Sequence, residues 1–109
     1  VRFTQTSKAY KTILSPAEAA VVQEAMLGVV KSGTGTKAGL KGYRIGGKTG
    51  TAEISSDKRI NTHAWFTGFV LDESHPLAIC IILEQAGGGG SKAAPIAAQL
   101  FEKAISLGY

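Results

Sequence analysis

Apolar positions along this chain keep one period in its first third, a second in the middle and the first again at the end. Val22, Ala25, Met26 and Val29 recur at steps of three and four, the spacing of one face of a helix. Ser15-Pro16-Ala17-Glu18 precedes them as a capping box: the Ser15 hydroxyl accepts from a free amide, Pro16 opens the first turn and Glu18 reaches back. Gly33 ends the helix, predicted over 16–31. THAWFTGFVL (62–71) and LAICIILE (77–84) are aromatic and β-branched with little polar alternation, which predicts strands 62–71 and 77–85, buried on both faces. Residues 44–54 read as an extended strand of small residues. SSDKRIN (55–61) and Asp72–Pro76 are polar connections too short for a parallel crossover, so the three strands form an antiparallel meander.

The last block, KAAPIAAQLFEKAISLGY, places Ile96, Leu100, Phe101 and Ala104 on one stripe and predicts a helix over 92–107. Ser91 serves as its cap, and Pro95 belongs to a first turn whose amides lack carbonyl partners. AGGGGS (86–91) is then a strand-to-helix loop, and GTGTKAGLKG (33–42) a Gly/Thr/Lys loop. Residues 1–14 alternate weakly and suggest an extended arm. The expected fold is α+β: a three-stranded antiparallel meander flanked by an N-terminal and a C-terminal helix, with 1–14 as an arm on the 15–109 body.

Composition narrows the classes. The 109 residues suffice for one modest core. No apolar run reaches the roughly 18–20 residues of a membrane span. Val1 stands where an initiator Met would be, which suggests a piece of something longer. The single cysteine, Cys80, excludes an internal disulfide framework and, inside an apolar run, reads as core. Eight of the twelve Lys and Arg lie in residues 1–48, against two of the eight acids. A basic N-terminal half suits an anionic partner, but scattered lysines without interleaved aromatics do not suggest nucleic acid. His63 and His75 have no Cys or carboxylate at ligand spacing, so neither a metal nor another cofactor is expected. His63 reads as a hydrogen-bonded structural residue.

The chemistry concentrates in GYRIGGKTGT (42–51). Gly42, Gly47, Lys48 and Thr49 satisfy G-x-x-x-x-G-K-[ST], the loop that cradles nucleotide phosphates. That loop must leave a buried strand and enter a helix, whereas a polar loop precedes Gly42 and no helical period follows Thr49. Lys48-Thr49-Gly50-Thr51 fits better as an edge strand lining a serine acyl-transfer cleft. Gly46, Gly47 and Gly50 would leave room for a substrate backbone, and Lys48 would supply a cation. Thr49 and Thr51 would hold a carboxylate, and the Thr51 amide would face a developing oxyanion. Strict alternation sends Lys48 to one face and both threonines to the other, so a cleft using all three must open along the strand's edge.

Met26…Val29-Val30 with Gly33-Thr34-Gly35-Thr36, Gly47-Lys48-Thr49-Gly50-Thr51-Ala52-Glu53, His63-Ala64-Trp65-Phe66 with Gly68-Phe69, and Gly89/Gly90 with Ala93-Ala94-Pro95-Ile96 occur in that order. Together they resemble the C-terminal part of a penicillin-binding protein transpeptidase domain of the class B, monofunctional type. The resemblance implies a D,D-transpeptidase parent at the extracytoplasmic face of the bacterial plasma membrane, held by an N-terminal anchor. It would cross-link peptidoglycan stem peptides ending in D-Ala-D-Ala through a serine acyl-enzyme, and bind penicillins and other β-lactams. It also implies that Lys48 and Thr51 act catalytically and that Thr49, Gly50 and Thr51 bind substrate.

Two of that family's motifs are missing. The one Ser-x-x-Lys match, Ser55-Ser56-Asp57-Lys58, falls in a polar connection after the Lys-Thr-Gly strand, and no Ser-x-Asn occurs. The expectation is a fragment that carries one wall of a cleft and cannot acylate alone. It needs the remainder of the domain, and its 77–85 edge invites pairing with another copy or with residues 1–14. A non-catalytic β-lactam sensor, a β-lactamase and a nucleotide-binding protein are the rival readings.

Overall fold

In a computed structural model, which describes residues 6–109, the elements run helix α1 (Pro16–Ser32), a short 3-10 turn (Thr36–Ala38), and strand β1 (Ile45–Ala52). Strands β2 (His63–Val70) and β3 (Ala78–Leu83) come next, then helix α2 (Gly89–Ser106). The strands form an antiparallel sheet in the order β1-β2-β3, the α+β meander expected from the short connections. Both β1 and β3 are edges among the described residues. Residues 6–14 are exposed and carry no strand, so the described part of the arm does not pair with β3; residues 1–5 lie outside the described residues.

The capping box on α1 is fully formed. The Glu18 amide donates to Ser15 Oγ at 3.2 Å and the Ser15 amide to Glu18 Oε2 at 2.7 Å. The helix buries less of itself than its stripe suggests. Val22 and Ala25 are exposed, Met26 and Val29 half-buried, and Val30 alone is buried. The helix meets β1 through its C-terminal end, and its first two turns run out into solvent.

One face of the sheet carries the core. Ala64, Phe66 and Val70 of β2, Ile81 of β3 and Ile45 of β1 pack with Ala93, Ala94, Ala97 and Phe101 of α2. The stripe predicted on α2 is therefore rotated. Small alanines face the sheet and let the helix approach, whereas Leu100 is 47% exposed. The other face of β2 and β3 is open: Trp65, Thr67, Cys80 and Ile82 are all exposed. The expectation of strands buried on both faces, and of Cys80 as core, is corrected accordingly. The residues are apolar enough for a second layer, but no element of 6–109 supplies one.

Helix α2 begins three residues earlier than predicted. Gly88 is the N-cap, without a side-chain cap, and Ser91 Oγ donates back to the Gly88 carbonyl at 3.1 Å instead of capping. Pro95 consequently lies in the helix interior, where it removes one amide donor. The early start has a packing cause. A Cβ on Gly89 would overlap the Trp65 carbonyl and the Gly50 peptide, and one on Gly90 would overlap the Thr34 carbonyl. The glycines form the first turn because only a turn without side chains can seat there.

Candidate functional site: the outer edge of the Lys-Thr-Gly strand

The register fixes which groups of β1 face outward. Leu71 N–H bonds the Arg44 carbonyl at 2.8 Å, so the facing pair 44/71 is a hydrogen-bonded one. Pairing then alternates along the ladder: Gly46, Lys48 and Gly50 bond toward β2. The amides and carbonyls of Gly47, Thr49 and Thr51 point away from it, toward the strand's outer edge. The amide for which an oxyanion role is expected, that of Thr51, is among the outward ones.

The side chains divide as alternation requires. Lys48 is exposed and shares a face with its pairing partner Thr67, while Thr49 and Thr51 lie on the core face. The edge reconciles them. Lys48 Nζ curls around the strand and donates to the outward carbonyl of Thr49. The ammonium thus reaches the same edge as the Thr51 amide. Thr49 is 8% exposed, the one buried polar residue among those described. Its hydroxyl lies 2.6 Å from that of Thr34 in the loop after α1. The Thr51 hydroxyl accepts from the Gly89 amide, the first of α2, at 3.4 Å. Thr34, Thr36, Thr49 and Thr51 line an open hollow of about 400 Å³ against the first turn of α2, Gly88–Ser91.

This edge joins hydroxyl donors, a helix N-terminus that favours negative charge, an outward amide and a cation. The set suits a ligand with a carboxylate at one end and a carbonyl that gains charge at the other. The pattern of residues missed Thr34 and the α2 amide as parts of the hollow. Thr34 is 15 residues from Thr49 in sequence, and nothing local marks the contact.

The motif's glycines serve a different purpose from the one expected. The Phe69 ring lies over Gly46 where a Cβ would be, the Phe66 ring covers Gly47 and Gly68, and the Trp65 Cβ lies beside Gly50. At Gly46 and Gly47 the missing side chains make room for the protein's own aromatic rings. The phosphate-loop reading fails on the same ground. Lys48 and Thr49 lie in mid-strand, and β1 leads into a polar connection and another strand instead of a helix.

The remaining candidates have structural partners. His63, opposite Ala52, accepts from the Gln85 amide through Nδ1 at 3.0 Å, fixing the start of β2 to the end of β3. Glu53 pairs with Lys58 at 3.1 Å. Ser55 Oγ accepts from the Asp57 amide at 3.1 Å, so neither end of the Ser55-x-x-Lys58 match is arranged to activate the other.

Comparison with known proteins places the chain in a family. The family model of the penicillin binding protein transpeptidase domain matches residues 3–102. The chain belongs to that family. Peptidoglycan D,D-transpeptidase MrdA of Haemophilus influenzae is 36% identical over an alignment of 110 residues that covers 85% of this chain and 17% of the relative. A putative peptidoglycan glycosyltransferase from Atopobium parvulum superposes with a TM-score of 0.79 at 28% identity, covering 94% of this chain and 26% of its own. Penicillin-binding protein A from M. tuberculosis, solved as a ceftriaxone acyl-enzyme complex, superposes with a TM-score of 0.73 at 34% identity, covering 84% and 22%. The chain thus spans about a sixth to a quarter of the length of these proteins.

Proposed function

We propose that this chain is one wall of the acyl-transfer cleft of a peptidoglycan D,D-transpeptidase, and that its nucleophile lies on the rest of the protein. The observation carrying this is the outer edge of β1, where the Lys48 ammonium and the Thr51 amide meet beside the Thr49 and Thr51 hydroxyls. In that role the hydroxyls hold the carboxylate of a D-Ala-D-Ala end or of a β-lactam. The Thr51 amide donates to the oxygen of the attacked carbonyl as it gains charge. Lys48 lowers the cost of proton transfer from the serine and of the negative charge that develops. D-Ala leaves as the serine ester forms, and an amine of a neighbouring stem peptide takes the acyl group and releases the serine.

The complete protein would work at the extracytoplasmic face of the plasma membrane, where peptidoglycan lies. Among the described residues no helix is long and apolar enough to cross a membrane. The partner of the open sheet face and of the β3 edge is the remainder of the domain. In its absence a second copy pairs along β3, whose Ala78, Cys80 and Ile82 present their backbone groups outward by the register with β2. The functional experiment is release of D-Ala from a D-Ala-D-Ala stem peptide by the complete protein. Lys48→Ala abolishes it if this assignment is right, and undiminished release by that variant refutes it.

A further inference from the structure

We propose that Thr34 is a positioning residue for the carboxylate subsite, acting through the Thr49 hydroxyl, and that the first turn of α2 holds it in place. This rests on the assignment of Thr49 and Thr51 as carboxylate-binding hydroxyls. The two hydroxyls of Thr34 and Thr49 are 2.6 Å apart, so one proton of the pair lies between them and one is left over. Thr49 is almost fully buried and has no other side-chain partner among the described residues, whereas Thr34 is exposed. An anion in the hollow selects one arrangement of the pair. Thr34 O–H donates to Thr49 Oγ, and the Thr49 proton turns to the anion, each bond polarising the next.

Thr51 is set in the same sense from the other side. Its oxygen accepts from the Gly89 amide, which leaves its own proton for the ligand. With the pair so arranged, the two threonines present two donors to one anion. The seat of this layer is the turn Gly89–Gly90. Gly90 is in contact with the Thr34 carbonyl, and Gly89 with the Gly50 peptide between the two threonines. A side chain at either glycine would push the Thr34 loop or α2 off the strand.

The test uses the complete transpeptidase domain carrying this segment and two probes, benzylpenicillin and its carboxyl methyl ester, with the acylation rate constant measured for each. Thr34→Val, which keeps the shape and removes the hydroxyl, is expected to lower acylation by benzylpenicillin about tenfold, the worth of one hydrogen bond to a charged chain. It should leave acylation by the ester unchanged. Thr34→Ser is expected to stay within about twofold of the native rate for both, since the hydroxyl is retained. The ratio between probes is read on the same folded protein, so partial unfolding of a variant does not alter it. Equal losses for both probes would reduce Thr34 to a structural residue and overturn the proposal. So would an unchanged ratio in Thr34→Val alongside a lowered ratio in Thr49→Val. If Thr49→Val also leaves the ratio unchanged, it is the underlying carboxylate assignment that fails.

Discussion

Gly89 lies directly against Gly50: the first residue of α2 rests on the peptide at the centre of the Lys-Thr-Gly-Thr strand, closer than any side chain would allow. One methyl group therefore couples helix docking to site geometry. Gly89→Ala is expected to destabilise the complete protein by at least the ~1–3 kcal/mol of an overpacked core, and to slow β-lactam acylation more than that loss explains. Gly28→Ala is the control. Gly28 lies in α1 with open space where its Cβ would be, so alanine there should add about 0.5–1 kcal/mol. Urea unfolding of both variants checks the contrast in sign.

The core rests on two aromatic rings, Phe66 and Phe101, the largest fully buried side chains among those described. Phe66 also covers Gly47 and Gly68. Phe66→Ala is expected to cost about 3–5 kcal/mol, read as a lowered urea midpoint, and to loosen β1 against β2. Faster amide exchange at Lys48 and Gly50, whose amides bond toward β2, would report the loosening.

Acid should release the start of α1 before it melts the sheet. The Ser15 amide, and then the Ser15 hydroxyl, hold the Glu18 carboxyl below its ordinary value of 4.5. A carboxyl depressed by folding adds stability that is present above 4.5 and is lost as pH falls through its folded value. Amide exchange at Ser15 and Glu18 should accelerate below pH 4.5, while exchange in β2 stays slow. In Glu18→Gln the acceleration at Ser15 should disappear, because that side chain has no proton to take up in this range.

Lys48 offers a separation of function from folding. Its side chain is exposed and contacts only the Thr49 carbonyl among the bonds described. Lys48→Ala is expected to leave the urea midpoint nearly unchanged and to lower the acylation rate by about a hundredfold or more, the scale for removing one group that stabilises developing charge. An equal loss of stability and rate would make Lys48 a structural residue instead.

How much could be read from residues alone depends on the range of the interactions. The α1 cap is a contact of three residues and was legible in Ser15-Pro16-Ala17-Glu18. The meander came from connection lengths, and the edge placement of β1 from the need to use Lys48 and both threonines together. The purpose of Gly46, Gly47 and Gly89 was not legible, because a glycine's reason is the atom its missing Cβ would meet. Here those atoms belong to Phe69, Phe66, Trp65 and Gly50, on other elements or further along the sheet. The start of α2 was lost for the same reason: four glycines look like a flexible loop until the strand beneath them is seen. The open face of β2 and β3 was not legible either, because apolar residues state what a face needs, not which part of the protein covers it.

The central claim is that this chain supplies the cleft wall and another part of the protein supplies the serine. Mapping the adduct tests it most directly: the complete protein is labelled with benzylpenicillin, digested, and the acylated peptide identified by mass spectrometry. The expected adduct lies on a serine outside residues 1–109, and the isolated 109-residue chain stays unlabelled under the same conditions. An adduct on Ser55, or on any other serine of this chain, would contradict the account.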